Sequence, residues 1–133
     1  MAQSGAQEGR ILVETFFKGL NSQDTAIIKR TLHKNVELAT VVKGTQPVKV
    51  ESLEEFLIGV HRSEGMPLEE RITEYQVLID EGMAIVWAPY RFYVNDQLSH
   101  CGVNAFTLVL TEKGWKIHSI IDTRRRENCH PAE

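Results

Sequence analysis

The sequence has few of the features that mark secreted, membrane or metal-binding proteins. Its 133 residues include two cysteines, Cys101 and Cys129, whereas a disulfide-stapled secreted domain usually carries more in a shorter chain. We predict that both are reduced thiols and that Cys101 is a small buried hydrophobe. The first ten residues have no apolar signal-peptide core, and no stretch is apolar and long enough to span a bilayer. We therefore expect a cytoplasmic protein with no membrane partner.

Excess positive charge, metal-ligand spacing and phosphate-binding loops are also missing. The formal net charge is -3, which argues against a nucleic-acid partner. The run Arg124-Arg125-Arg126 is too short to change this, and we expect it to be a solvated strand end. The histidines lack metal-ligand spacing, and Cys129-His130 falls short of the four ligands of a zinc site. With no glycine-rich phosphate loop or nucleophile elbow, the sequence predicts no metal and no cofactor.

Three helical segments occupy the first half of the chain. Arg10 to Leu20 repeats apolar residues at helical spacing. Asp24 can cap a second helix, and Ser52 with Glu55 forms the capping box of a third.

The second half changes to a period of two, which indicates strands. After a first strand at about 36–42, we predict strands at about 70–80, 83–94, 99–111 and 114–123. Short turns join the last four, so antiparallel hairpins follow. The sequence predicts an α+β domain at 9–124, with a flexible leader at 1–8 and a polar tail at 125–133.

This order of elements resembles the nuclear transport factor 2-like (NTF2-like) superfamily. The segments that carry the resemblance are the helix pair split at Asn21-Ser22-Gln23-Asp24, the third helix, and the stretches 86–94, 99–106 and 114–124. They look like the branch labelled lumazine-binding-like or polyketide-cyclase-like, which is also called SnoaL-like. The resemblance implies a cystatin-like, cone-shaped fold with about three N-terminal helices packed on a curved antiparallel sheet.

The superfamily includes isomerases, dehydratases, cyclases and non-catalytic binding modules, so the fold does not select among them. Its steroid isomerase branch uses a carboxylate base, a tyrosine and a protonated carboxylic acid. No such trio matches this sequence residue by residue, and the strand carboxylates considered for a role are Glu37 and Asp122.

A hairpin register derived from the Asn95-Asp96 turn predicts the pocket. If Val94 pairs with Gln97, Arg91 lies opposite His100, Trp87 opposite Asn104, and Ile85 opposite Phe106. This face mixes aromatic and polar groups, as pockets do. A slip of one residue would exchange the two faces.

The last hairpin adds residues to this face, but the orientation of two side chains, His118 and Asp122, depends on the length of its turn. A two-residue turn pairs Phe106 with Ser119 and points His118 and Asp122 outward, whereas a three-residue loop brings both inward. The predicted ligand-binding residues are Trp87, Arg91, His100, Asn104, Phe106 and Ser119.

Three functions remain open at this stage. The leading hypothesis is a domain that binds a small, partly aromatic or polyketide-like molecule in a mixed aromatic and polar pocket. The second is a small acid–base enzyme, an isomerase, cyclase or dehydratase, with His100 as the candidate proton carrier. The third is a non-catalytic interaction domain whose cavity is filled.

The sequence also predicts a homodimer. Three helices can cover one face of the sheet, which leaves the other face of the central hairpin open. We expect two copies to pack through this outer face about a twofold axis. The residues assigned to it are Val86, Ala88, Tyr90, Phe92, Val103 and Ala105.

Overall fold

The computed structural model describes residues 5–42 and 48–129, which form three helices and a seven-stranded sheet. The elements in chain order are α1 (Gly5–Ser22), α2 (Thr25–Thr31), β1 (Leu32–Val42), β2 (Lys49–Glu51), α3 (Leu53–Arg62), β3 (Leu68–Ile72), β4 (Gln76–Asp80), β5 (Met83–Val94), β6 (Gln97–Thr111) and β7 (Gly114–Arg124). The α+β class with three helices is confirmed. None of these helices is both long and apolar enough to cross a membrane.

Local capping chemistry sets the helix starts. The Asp24 carboxylate accepts hydrogen bonds from the backbone amides of Ala26 and Ile27, and the predicted capping box of Ser52 and Glu55 is present. Helix α1 begins at Gly5, so residues 5–8 of the predicted leader are helical and only 1–4 lie outside the described residues.

The sheet is mixed, whereas we predicted an antiparallel one. Its strand order is β2-β1-β7-β6-β5-β3, and β4 also pairs with β5. Strand β1 runs parallel to β7. This pairing joins the two ends of the domain, and because no turn connects the two strands, the sequence does not predict it. The predicted strand at 70–80 is split into β3 and β4 beside Pro89, whose carbonyl accepts a hydrogen bond from the Thr73 amide. Because proline has no N–H, the ladder cannot continue through this point.

Two β-bulges change which side chains share a face. The turn pair Val94–Gln97 forms as predicted, but Ser99 is an extra residue in β6, so Phe92 rather than Arg91 pairs with His100. Beyond that bulge Trp87 pairs with Ala105 and not with Asn104. A bulge adds one residue to one strand, and one residue is enough to invert the face of every side chain beyond it.

The second bulge lies in β7. The Thr111–Gly114 pair is as predicted, but His118 is an extra residue, so Phe106 pairs with Ile120 and Asn104 with Asp122. This bulge separates the two residues that the sequence left open. Asp122 turns toward the helices, while His118 lies on the other side beside Thr107.

The core lies between the helices and one face of the sheet. Phe16 and Phe17 pack edge-to-face on Phe106, with ring centroids 5.7 and 5.6 Å apart. Val86 and Ala88 are fully buried in this core, and Tyr90 is nearly so. The prediction that these three lie on the outer, dimer-forming face is therefore wrong, and so is the same prediction for Phe92, which lines a cavity on the helix side. The bulge at residue 99 is the reason. Val103 and Ala105 do share the face that the helices leave open.

The outer face carries a different apolar row. Ala39, Ile121, Ala105 and Trp87 pair in sequence across β1, β7, β6 and β5. Trp87 is 48% exposed and Ile121 is 42% exposed. We call these four residues the outer row.

The two cysteines form a disulfide, which corrects the prediction of reduced thiols. Cys101 is buried as predicted, and the bond ties the segment after β7 to β6. Cys101 and Arg125 also form an isolated antiparallel bridge. The part of the predicted tail at 125–129 is therefore attached to the sheet, and 130–133 lie outside the described residues. Because disulfides persist mainly in oxidising environments, this bond removes the support that reduced cysteines lent to a cytoplasmic location.

Candidate functional site

A cavity of about 340 Å³ opens between the helices and the covered face of the sheet. Its apolar wall comes mainly from Leu20, Phe56, Val60, Leu68 and Phe92, and a smaller cavity of about 100 Å³ adjoins it. The polar residues that line one or both cavities are Asn21, Gln23, Thr40, Glu51, Ser63, Glu70, Tyr90, His100, Asn104, Asp122 and Arg124. An apolar wall with a few converging polar groups is the usual make-up of a small-molecule site.

Glu70 on β3 is a partly buried acid at the wall of this cavity. The Asn21 side chain fixes its backbone twice: Nδ2 donates to the Glu70 carbonyl at 2.9 Å, and Oδ1 accepts from the Glu70 amide at 2.8 Å. The carboxylate accepts a hydrogen bond from Asn104 Nδ2 at 2.7 Å. Burial raises the pKa of Glu70 to about 7, against the lowering effect of the Asn104 bond. Both protonation states of Glu70 are therefore populated near neutral pH.

Asp122 on β7 is the centre of a second polar group. Its carboxylate accepts hydrogen bonds from Thr40 Oγ1 at 2.7 Å, from the Tyr90 hydroxyl at 3.1 Å and from Arg124 Nε at 3.2 Å. The Tyr90 hydroxyl also lies 2.7 Å from the Thr123 carbonyl oxygen. Burial raises the pKa of Tyr90 far above its ordinary value, and the nearby charges of Asp122 and Glu70 add to the rise. Tyr90 is therefore a neutral phenol at physiological pH.

His100 on β6 stands at the edge of the cavity. Its ring stacks on Phe92 at 4.9 Å and meets Tyr90 edge-on at 5.9 Å. Its Nδ1 lies 3.2 Å from Ser99 Oγ. Burial lowers the pKa of His100, and the positive charges of Arg124 and Arg126 lower it further. The imidazole is therefore neutral at pH 7 and offers one donor and one acceptor.

The described residues contain no group of three or more His, Cys, Asp or Glu side chains placed to hold a metal ion. A carboxyl group that titrates near pH 7, a neutral phenol and a neutral imidazole face one cavity, and such perturbed groups cluster at functional sites.

Comparison with solved structures shows what the whole chain resembles. An NTF2-like protein from Cytophaga hutchinsonii superposes with a TM-score of 0.75 at 11% identity, over 92% of this chain and 100% of that one. A candidate dehydratase of the NTF2-like family from Streptomyces avermitilis gives 0.71 at 14% identity, over 90% and 95% of the two chains. A candidate ketosteroid isomerase from Shewanella frigidimarina gives 0.64 at 21% identity, over 84% and 91%.

The chain has the NTF2-like fold. Comparisons with protein-family models and with curated proteins find no match, so sequence similarity adds nothing to the structural likeness. At these identities the likeness establishes the NTF2-like fold and leaves the activity to be argued from the site.

The NTF2-like fold divides the residues predicted to bind a ligand among three places. His100 lines the cavity, and Asn104 lines the adjoining small cavity while holding Glu70. Trp87 and Ser119 lie on the outer face, where Ser119 bonds Thr107 at 2.6 Å. Phe106 is fully buried beneath the helices.

Arg91 is the remaining predicted residue. It pairs with Cys101 and Arg71, and it is absent from the cavity lining. Its Nε is buried without a hydrogen-bond partner in the described part of the chain. The predicted shared face of Trp87, Arg91 and Asn104 is therefore wrong, because the bulge at residue 99 turns β5 over relative to β6.

Glu70 and Tyr90 line the cavity but are not among the residues that the sequence predicts to bind a ligand. The sequence also leaves open whether the Asp122 side chain faces the cavity. Glu70 lies in a strand whose alternation, Leu68-Glu69-Glu70-Arg71-Ile72, gives no sign that one acid is enclosed. From the sequence alone, Asn21 is only part of the break between two helices. In the structure its side chain hydrogen-bonds both the carbonyl and the amide of Glu70, and it therefore positions that residue. Tyr90 was assigned to the outer face by the register error.

Proposed function

We propose that this protein binds a small, largely apolar molecule in the cavity and moves a proton to or from it through Glu70. The observation that carries the proposal is the position of the Glu70 carboxyl group at the wall of a cavity of about 340 Å³, where burial raises the pKa of Glu70 to about 7. A general base works best when its pKa is near the working pH. The resemblance to the NTF2-like superfamily also implies a cone-shaped fold with a curved sheet around the cavity, and we include this shape in the proposal.

The expected chemistry is proton abstraction from a carbon next to a carbonyl group. The ionised carboxylate of Glu70 takes the proton, and the electron pair moves onto the carbonyl oxygen. A hydrogen bond from the neutral His100 ring would stabilise that oxygen. The Tyr90 hydroxyl could do the same only by giving up its hydrogen bonds to both Asp122 and Thr123. Return of the proton to another carbon completes an isomerisation, and its transfer to a departing hydroxyl completes a dehydration.

The structural neighbours support this class of reaction in a general way. One is a candidate dehydratase and another a candidate ketosteroid isomerase, and both reactions depend on placed acids and bases. The steroid isomerases named in the resemblance combine a carboxylate base, a tyrosine and a carboxylic acid. In this chain Glu70, Tyr90 and Asp122 line one cavity, which is the reason for assigning the proton transfer to Glu70 rather than to His100.

Deuterium exchange of 2-tetralone in heavy water tests the proposal. We expect the protein to accelerate loss of the proton signal next to the carbonyl, followed by NMR, and the rate to rise as pH increases through about 7, where Glu70 ionises. Glu70→Gln should lower the rate about 100-fold or more, since a positioned general base contributes at least that factor. Glu69→Gln is the matched control, because Glu69 is exposed and does not line the cavity.

The exchange and binding of 2-tetralone distinguish a catalytic function from a non-catalytic one. Exchange that is unchanged in Glu70→Gln would refute the role of Glu70. Binding of 2-tetralone without exchange above the buffer rate would favour the second candidate, a non-catalytic binding domain, which the mixed apolar and polar lining of the cavity also suits.

We also retain the homodimer as a proposal, now with the outer row as its centre. An exposed tryptophan and isoleucine in one row across four strands favour a protein contact.

A further inference from the structure

A second cavity, of about 520 Å³, lies beyond the mouth of the first. It is lined by Val42, Ser99, His100, Arg124, Arg125, Arg126 and Glu127. His100 and Arg124 line both cavities, so the two spaces meet at these side chains. We call the second cavity the basic cleft.

The basic cleft carries an excess of positive charge. Among the described residues, three guanidinium groups and one carboxylate, that of Glu127, line it, although the whole chain has a net charge of -3. Among the described residues, Arg124 donates from Nε to Asp122 at 3.2 Å and from Nη2 to Thr40 Oγ1 at 3.5 Å, and Arg126 Nη1 donates to the Ser99 carbonyl at 3.0 Å. Because a guanidinium group has five N–H donors, these bonds use only part of the donor capacity of the two side chains within the described part of the chain.

The backbone that presents these arginines is fixed. Arg125 and Cys101 exchange two backbone hydrogen bonds of 2.9 Å, and the Cys101–Cys129 disulfide closes the segment that follows. Arg125 donates from Nε to the Glu127 carbonyl at 3.1 Å, within the same segment. As the sequence predicts, these residues lie at a solvated strand end: Arg124 is the last residue of β7, and Arg124 and Arg126 are exposed. The same side chains line the basic cleft.

We propose that the basic cleft binds the carboxylate or phosphate group of the same small molecule whose apolar body occupies the cavity beside Glu70. This inference rests on the proposed function, since it names the class of ligand for that site: an apolar molecule with one anionic end. Arginine is the side chain best suited to hold carboxylate and phosphate groups, because its planar fork can donate two parallel hydrogen bonds.

The junction between the cavities is consistent with such a ligand. After burial, the charges of Arg124 and Arg126 are the largest causes that lower the pKa of His100, so their positive field reaches the cavity mouth. An anionic group in the basic cleft would offset that field. The cleft is too small and isolated to serve as a nucleic-acid surface, which requires a continuous basic face.

Three naphthalene probes of matched shape test the inference: 2-naphthamide, which is neutral, 2-naphthoate and 2-naphthyl phosphate. Binding is measured by calorimetry at low ionic strength, because salt screens exposed charges. We expect at least one of the two anions to bind about tenfold more tightly than the amide, which is the effect of one charged hydrogen bond. Their ranking distinguishes a carboxylate site from a phosphate site.

Arg126→Gln should bring the anion's affinity to within about twofold to threefold of the amide's while leaving amide binding unchanged. Arg30→Gln is the matched control: it removes the same charge from an exposed position on α2, away from both cavities. Inorganic phosphate should compete with the anionic probe and leave amide binding unaffected.

Equal affinities for all three probes would overturn the anionic site and leave the cavity proposal intact, because the amide would still bind. An equal loss of anion preference in Arg30→Gln would also overturn it, since net charge alone would then explain the effect. If none of the probes binds, the inference fails, and deuterium exchange of 2-tetralone decides the proposed function separately.

Discussion

The Glu70 carboxyl group is moved out of water by folding, and this has an energetic cost. Asn104 is the one side chain in the described residues that donates a hydrogen bond to it. A rise of its pKa from 4.5 to about 7 means that the charged form is less stable in the folded protein by about 3 kcal/mol. Sites that hold a carboxyl group ready to exchange a proton at neutral pH commonly sacrifice stability in this way.

Stability should therefore depend on pH through Glu70. Because its folded pKa is raised, the folded state binds more protons than the unfolded state between about pH 4.5 and 7, and the free energy of unfolding falls as pH rises through this window. We expect Glu70→Gln to raise the free energy of unfolding by up to about 3 kcal/mol at pH 8 relative to the wild-type protein, with little difference at pH 4.

Urea unfolding at the two pH values measures this effect, with Glu69→Gln as the control. An identical pH dependence in Glu70→Gln and the wild-type protein would show that the carboxyl group is solvated and would remove the basis for its catalytic role.

At the scale of the strands, Gly102 in β6 makes room for the site. A Cβ atom at this position would lie 1.9 Å from the Thr123 carbonyl oxygen, and that oxygen accepts the hydrogen bond from Tyr90. The glycine is therefore required by the close approach of β7. Thr123 also uses its side-chain oxygen to accept from the Val103 amide, so the two strands are tied here by side-chain bonds.

We expect Gly102→Ala to lower the free energy of unfolding by about 3 kcal/mol, since the obstructing atom belongs to the backbone and cannot rotate away. Gly59→Ala is the matched comparison. It lies inside α3 with no atom within 4 Å of the added Cβ, so it should stabilise the protein by about 1 kcal/mol. Denaturant unfolding of both variants measures the contrast, and a neutral effect of Gly102→Ala would contradict the close approach.

At the scale of the whole molecule, the two faces of the sheet differ in what covers them. The helix-covered face holds the core and the cavity, while the open face carries the outer row across four strands. The corrected register moves the proposed dimer contact to Trp87 and Ile121 and leaves the dimer itself a proposal.

We expect Ile121→Lys to weaken a homodimer about tenfold or more, because it buries a charge in an apolar contact. Ile58→Lys is the control, since Ile58 is similarly exposed, at 43%, but lies on α3 on the helix side of the molecule. Sedimentation at micromolar concentrations measures the association. A wild-type monomer mass that does not change on concentration would refute the dimer.

Chemistry within a few residues was enough to predict the starts of α2 and α3 and the hairpin turns, but not the start of α1 at Gly5. Asp24 caps α2 and Ser52 caps α3 as expected, and Asn95 and Asp96 form the turn with positive φ angles of 54 and 63°. These features need no distant partner, which is why the α+β class, the succession of helices and then hairpins, and the superfamily resemblance followed from the sequence, whereas β2 and the division of the strand at 70–80 into β3 and β4 did not.

The tertiary structure alone decided which side chains meet. The extra residues Ser99 and His118 are not marked by any local signal, yet each inverts a strand relative to its neighbour. The first puts Tyr90 rather than Trp87 on the cavity side of β5, and the second turns Asp122 toward the cavity. The pairing of β1 with β7, the disulfide and the enclosure of Glu70 by Asn21 and Asn104 likewise join residues far apart in the chain. The sequence by itself determined the elements of this protein, and the packing between them determined its site, because burial and register are properties of contacts that form only when the chain has folded.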